Sequence, residues 1–343
     1  PVENGYTLLQ AMDHTITPMG ARMLKRWVIF PLSDKQQIEQ RLDRVTFFVK
    51  EQDIAQEYRK HLKQIGDMER LAAKVPLKKI NPREVIQLGR SLKHCEEVKK
   101  LGKVQDPGIA QLSGMIDPCS EIQEVIGNTL NEEAPVAVNK GGAIKEGVHE
   151  ELDQLRKIAY SGKEYLLQIQ QAESQRTGIP SLKVAFNNVF GYYLEVTNTH
   201  KDKVPPEWIR KQTLTNAERY ITPELKEYEE KILGAEEKIM TLELQIYDAL
   251  IDKIQTVLGR MQQNAQAIAQ IDCLLSFAHI ARQYQYCRPQ ISDEQMLDIK
   301  QGRHPVIEQH LQPGDTYVAN DIFLDKEEQQ VIILTGPNMS GKS

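Results

Sequence analysis

Aromatic residues make up only 6% of this 343-residue chain, a scarcity that suits a helical, solvent-rich architecture better than a β-sandwich. Cysteine is as sparse. Cys95, Cys119, Cys273 and Cys287 are scattered without metal-ligand spacing, which reads as reduced thiols in a cytosolic protein. No apolar run approaches the length that spans a bilayer, and no signal peptide opens the chain. A surplus of positive charge is also missing. The formal net charge of −5 argues against non-specific nucleic-acid binding by the whole surface, while leaving room for a local basic patch. The length allows two or three domains, and a first residue of Pro1 rather than Met points to a piece of a longer protein.

Helical spacing dominates what is there. From about 5 to 133 the chain reads as a cluster of helices. Thr17-Pro18-Met19-Gly20 starts one, with Pro18 suited to a first turn, and Met19, Met23, Leu24, Trp27 and Val28 recur along one face up to Pro31. Ser33-Asp34 caps the next, whose face carries Ile38, Leu42, Val45 and Val49. Asn81-Pro82 opens another through Val85, Leu88, Leu92 and Val98. These stripes are core, and the Lys78-Lys79 and Lys99-Lys100 pairs are solvated faces. Asn128 to Gly142, rich in Glu, Asn, Pro and Gly, reads as a surface connection.

Two long helices follow. The first runs from Ile144 to about Arg176. The second starts at Thr222-Pro223-Glu224 and keeps apolar residues at alternating intervals near three and four as far as Met261. Its roughly 38 residues would reach on the order of 57 Å. The pair suggests an antiparallel stalk with something at its tip. There, Leu182 to Phe186 and Gly191 to Val196 alternate around Asn187-Asn188, a hairpin pattern. Between Gly178 and Thr222, Lys183, Lys201, Lys203, Arg210, Lys211 and Arg219 outnumber Glu195, Asp202, Glu207 and Glu218. The tip is thus locally basic, with Asn187, Asn216, Thr and Tyr side chains interleaved that can bond phosphate oxygens.

Past the stalk, Ala267 to Tyr284 reads as a returning helix. The texture then changes to short strands at Met296 to Ile299, Val306-Ile307, Ile322 to Leu324 and Val331 to Leu334, the opening of an α/β domain. The last strand runs into Gly336-Pro337-Asn338-Met339-Ser340-Gly341-Lys342-Ser343, a Gly-x-x-x-x-Gly-Lys-Ser loop. In that pattern the glycines let successive N–H groups converge on phosphate oxygens, Lys342 supplies a point charge and Ser343 offers a hydroxyl to Mg²⁺. Such a loop ordinarily opens a helix, and none can follow Ser343, so the loop reads as a marker of a longer ATPase rather than a working site.

Thr335 to Ser343, with Pro-Asn-Met inside the loop, resembles the phosphate loop of the MutS family of DNA mismatch-repair ATPases. Thr17 to Arg22 is similar to the family's core-domain entry. Phe190 to Val196 and Thr213 to Tyr220 resemble its clamp, and Gly302-Arg303-His304-Pro305-Val306 its ATPase-domain start. The matches follow the family's order and cover nearly the whole chain. The resemblance implies a mainly α fold with a small β-rich tip: a helical core at 1–143, an ascending lever helix at 144–177 and a DNA clamp at 178–222. A descending lever and return follow at 223–288, then the first part of an ABC-like P-loop ATPase domain at 289–343. It implies ATP and Mg²⁺ as cofactors of the longer protein, with Tyr317 of Tyr317-Val318-Ala319-Asn320 stacking on adenine. His304 reads as structural. Lys183, Asn187, Lys201, Lys203, Arg210, Lys211, Asn216 and Arg219 are the candidate contacts to the DNA backbone. Mispaired duplex DNA, a second copy and a MutL-type repair protein are the implied partners, in the cytoplasm at the bacterial nucleoid. The mismatch-reading and connector domains, the acidic Mg²⁺ strand and the dimerisation helices of the family are absent from this sequence, so this piece should keep only a nonspecific backbone grip. Two other readings stay open: a long-stalk chromosome-organising ATPase whose tip is a dimerisation hinge, and a recombination-type relative without mismatch recognition. A hinge would be apolar and self-complementary, whereas this tip is basic and polar.

Overall fold

A computed structural model of the chain describes residues 5–103, 106–187, 189, 191–312 and 314–336. It is mainly helical, with a four-stranded and a two-stranded antiparallel sheet. The helices are α1 (Leu8–Met12), α2 (Pro18–Ile29), α3 (Lys35–Lys50), α4 (Gln52–Leu62), α5 (Met68–Lys74), α6 (Pro82–Leu101), α7 (Pro107–Gly114) and α8 (Ser120–Thr129). Then come α9 (Glu150–Thr177), β1 (Lys183–Asn187), β2 (Gly191–Thr197), β3 (Ile209–Thr213), β4 (Ala217–Ile221), α10 (Pro223–Gln255) and α11 (Leu258–Gln283). β5 (Leu297–Gly302), α12 (Pro305–Glu308) and β6 (Asn320–Leu324) complete the order. The chain divides into two compact units. One holds the residues up to Lys74, Gln87–Gln123 and those from Val257 on; the other holds Val75–Ile86 and Glu124–Thr256. No helix among the described residues is long and apolar enough to cross a membrane.

The first unit is built around α11. Apolar residues lie round most of this helix, so it buries far more than one stripe: Met261, Ala265, Ile268, Ile271, Leu274, Leu275 and Ala278 are all inside, while Gln262, Gln263, Gln266 and His279 are exposed. α2, α3, α4, α5 and α7 pack against it. Caps fix where those helices begin. Thr17 accepts from Gly20 N at 3.0 Å, Asp34 from Gln37 N at 2.8 Å and Asp106 from Ile109 N at 2.8 Å, each satisfying an amide the helix leaves open. The Thr17 cap is itself held by Asp272 of α11, which accepts from Thr17 N and from Thr17 Oγ1, both at 2.7 Å, and from Ile16 N at 2.9 Å. Burial raises the pKa of Asp272, and the Thr17 and Ile16 donors oppose that rise.

In the second unit α9 and α10 run antiparallel. Arg156 pairs with Glu243, Lys163 with Glu236, and Tyr165 stacks on Tyr228 with ring centroids 3.9 Å apart, so one number falls as the other rises. Thr222 caps α10 by accepting from Leu225 N at 3.1 Å, and Pro223 takes the first turn. α10 spans 33 residues, about 50 Å, and ends at Gln255. The expected continuation to Met261 fails at Thr256–Val257, where the backbone leaves the helical ladder and α11 begins. α9 likewise starts at Glu150, not Ile144: Gly147 at φ +84° interrupts the path, and Ile144 instead makes a β-bridge with Leu130.

Three further expectations change. The 128–142 connection is not wholly on the surface, because Ala134 and Val138 are buried and the turn Val138–Lys140 packs on α10. Val306-Ile307 is helical, since Pro305 with His304 as cap (Nδ1 accepting from Ile307 N at 3.4 Å) starts a turn of helix rather than a strand. Val331 to Leu334 forms no strand: all four side chains are exposed, and among the described residues nothing supplies the ladder a buried strand needs. The four cysteines are free, with Cys95, Cys119 and Cys273 buried and Cys287 exposed.

Candidate nucleic-acid interface

The four-stranded sheet, in order β1-β2-β4-β3, is antiparallel throughout. One face is apolar because alternate residues of β2 and β4 turn inward. Leu194, Val196 and Tyr220 join Leu166 and Ile169 of α9, Leu225 and Ile232 of α10, and Trp208 in one core. Each such side chain contributes about 1.5–3 kcal/mol by leaving water. Two polar side chains on the helices then pin the strands. Val184 N donates to Gln170 Oε1 at 2.9 Å, and Tyr192 N donates to Glu229 Oε2 at 2.5 Å. Glu229 is buried and balanced by Lys226 at 2.6 Å. Gly191 sits beside it at φ +77°, and a Cβ there would fall 2.1 Å from the Glu229 carboxylate.

Sequence reasoning passed over Gln170 and Glu229. The available signal was a carboxylate lying next to the apolar stripe of Leu225, Tyr228 and Ile232.

A β-bulge divides the basic residues of the tip. Arg210 pairs with Tyr220 and Gln212 with Arg219, leaving Lys211 as the extra residue on β3. Side chains alternate across a strand, so Arg210 shares a face with Tyr220 while Arg219 lies on the opposite one. On the inner face Arg210 binds Glu218 at 3.2 Å, and the Tyr220 hydroxyl donates to the same carboxylate. Tyr220 and Arg210 hold Glu218 below the usual carboxylate range. Burial, together with Glu218, pushes the Tyr220 hydroxyl up to about 12. On the outer face Arg219 binds Glu195 at 3.1 Å and Gln212 at 2.8 Å, and its guanidinium lies 4.4 Å from the centre of the Tyr193 ring.

The candidate contacts therefore separate into groups. Arg210 and Arg219 are engaged on opposite faces. Lys203 is exposed and donates to Gly178 O at 3.1 Å. Asn187 is half-buried in β1, its Oδ1 accepting from Val189 N at 3.0 Å, and Asn216 is exposed in the β3–β4 turn. Lys183, Lys201 and Lys211 are exposed and make no ion pair or side-chain hydrogen bond among the described residues.

At the other candidate site, Tyr317 is half-buried just before β6, and Gly336 is exposed outside any regular element. Pro337, Asn338, Met339, Ser340, Gly341, Lys342 and Ser343 lie outside the described residues. Among the described residues no group of three His, Cys, Asp or Glu side chains could hold a metal ion.

The sequence profile of MutS domain III matches residues 2–278. The chain belongs to the MutS family. It is 54% identical over 342 residues to the DNA mismatch repair protein MutS of Bacteroides thetaiotaomicron, a match covering 99% of this chain and 40% of that protein. The MutS protein of Cytophaga hutchinsonii is 53% identical over 340 residues, with 99% and 40% covered. That of Porphyromonas gingivalis is 52% identical over 342 residues, with 99% and 38% covered. The chain spans about two-fifths of the length of these MutS relatives.

Proposed function

We propose that this chain is the core, lever and clamp part of a DNA mismatch-repair protein, and that its four-stranded sheet grips the backbone of duplex DNA. The observation that carries this is how charge is disposed on the tip. Glu195, Glu218 and Glu207 each pair with an arginine (Arg219, Arg210 and Arg176), while Lys183, Lys201 and Lys211 are exposed and make no ion pair among the described residues. The pairing cancels three of the tip's four acids and leaves the lysines, against Asp202 alone, as the surplus a phosphate backbone attracts. The arginines then serve the sheet, and the lysines serve the DNA.

In the longer protein, α9 and α10 would act as levers linking this grip to ATP binding and hydrolysis, with Gly336–Ser343 opening the nucleotide site and Tyr317 against the base. Mismatch recognition, sliding-clamp formation, pairing with a second copy and with a MutL-type partner, and work at the nucleoid belong to that whole. A dimerisation hinge at the tip is disfavoured by family membership and by the polar outer face of the sheet.

Fluorescence anisotropy of a labelled duplex, titrated with the full chain over a salt series, tests the grip. Replacing Lys183, Lys201 and Lys211 together by Gln should flatten the slope of log affinity against log salt by about 2–3, at about 0.9 for each phosphate no longer neutralised. Arg210→Gln should leave the slope nearly as it was. A slope untouched by the triple substitution removes the clamp assignment.

A further inference from the structure

In the first unit a pocket of about 230 Å³ opens between α3, α4 and α11. Buried Phe48, Leu275 and Ala278 make its apolar wall, and every charged group on its lining is a potential cation: Arg59, His279 and Arg282, with Gln52 and Gln56 beside them. No carboxylate lines it. Arg59 is only partly satisfied. Its Nη2 donates to His14 O at 3.3 Å, but its Nη1 is buried and has no partner. Asp272, a buried carboxylate that feels the Arg59 charge, accepts instead from Ile16 N, Thr17 N and Thr17 Oγ1.

A guanidinium N–H buried without an acceptor is costly. The pocket beside it is one where cations converge from two helices. The His14 and His279 rings lie 4.8 Å apart. Burial, then the charges of His14, Arg59 and Arg282, hold the His279 ring below its ordinary range, with Gln283 opposing. Several potentially positive groups crowded on a lining that holds no carboxylate are the electrostatic signature of an anion site. The volume is below the 300–1,000 Å³ or so of drug-sized sites, which admits a small ion and excludes a whole nucleotide. Guanidinium forks and an imidazole offer more donors than one carboxylate absorbs, and a phosphate dianion matches both their number and their charge.

We propose that this pocket binds a phosphate-type oxyanion, free or at the end of a small monoester, through Arg59, Arg282 and His279. The site belongs to the first unit and stands whether or not the sheet of the second grips DNA.

Histidine ring signals of the full chain, followed by NMR while inorganic phosphate replaces chloride at constant ionic strength, test the proposal. Saturable binding should raise the His279 pKa by about one unit, since a neighbouring anion favours the imidazolium. Arg282→Gln, at an exposed position that leaves the fold intact, should weaken phosphate about tenfold. Arg59→Lys keeps the charge but loses the fork, and should weaken it as well. Glycerol 3-phosphate in a parallel titration separates the sources: tighter binding than inorganic phosphate assigns the site to a monoester, weaker binding to the free ion. A His279 pKa that stays fixed, as it would if phosphate bound only at Gly336–Ser343, overturns the proposal. So does phosphate affinity unaltered by Arg282→Gln.

Discussion

Glu243 is fully buried in α10, and its carboxylate gathers three donors from separate stretches of the second unit. It accepts from Gly142 N at 2.8 Å, from Ala143 N at 2.9 Å and from Arg156 Nη2 at 2.8 Å. Glu243→Gln preserves the shape and removes the charge. The amide oxygen, placed where Oε1 stands, can still serve Gly142 N and Arg156 Nη2, but the NH₂ then faces Ala143 N, itself a donor, so that bond fails and the other two lose the charge that strengthened them. Bonds to a charged group contribute about 1.5–3 kcal/mol each, and breaking one side of a buried pair costs about 3–5 kcal/mol. Arg156 keeps its bond to Ile144 O at 2.8 Å, which places the expected loss near the lower end, about 3 kcal/mol. Hydrogen exchange reads this locally, because the Gly142 and Ala143 amides are themselves the donors. Their protection should fall about a hundredfold, as 1.4 kcal/mol is a factor of ten. Leu244→Ala, one position along α10 and 52% exposed, is the control and should change stability by no more than about 0.5 kcal/mol. If the two amides exchange in Glu243→Gln as slowly as in that control, the carboxylate does not anchor the 128–142 segment and the reasoning fails.

Gly191→Ala combines a left-handed backbone with a Cβ placed against Glu229. It should destabilise the sheet by about 2–4 kcal/mol, measured by urea unfolding through Trp208 emission in a Trp27→Phe background. His94 supplies a pH prediction. Burial, then His61 with Nδ1 3.2 Å from His94 Nδ1, then Lys93, lower its pKa from 6.5, with Glu97 opposing. The folded state therefore favours the neutral ring. This stabilisation is complete above pH 6.5 and is lost as pH falls from there toward the lowered folded value. The thermal midpoint of the chain should drop as pH falls below 6.5, and His94→Asn should flatten that drop, leaving the share due to His279.

Much of the architecture is legible in local signals because local chemistry causes it. Thr17-Pro18 and Thr222-Pro223 start helices wherever they lie, since hydroxyl cap and proline act within one turn. The alternation of Val184, Tyr192, Leu194 and Val196 fixes which face of the sheet turns inward. Remote partners are what a single sequence conceals. Asp272 looks misplaced in an apolar helix until its donors, 255 and 256 residues away, are known. Glu229 and Glu243 likewise answer backbone amides far along the chain. The same limit explains the candidate site. Counting charges finds a basic tip, yet which cations are spent on Glu195 and Glu218 depends on cross-strand register. Val331 to Leu334 reads as a strand by composition alone, and composition does not supply a neighbour.

The bulge at Lys211 also bears on how this sheet tolerates changes of length. Remove Lys211 and Arg210 still meets Tyr220 while Gln212 still meets Arg219, so β3 carries one residue it does not need for pairing. β4 carries no spare across Glu218 to Tyr220. A one-residue loss there would turn every following side chain to the opposite face, exposing the Tyr220 side of the core and burying the charge of Arg219. Insertions and deletions inherited by relatives should therefore collect at the edge strand, where a lysine can come or go without re-registering the sheet. The central strands should keep their length.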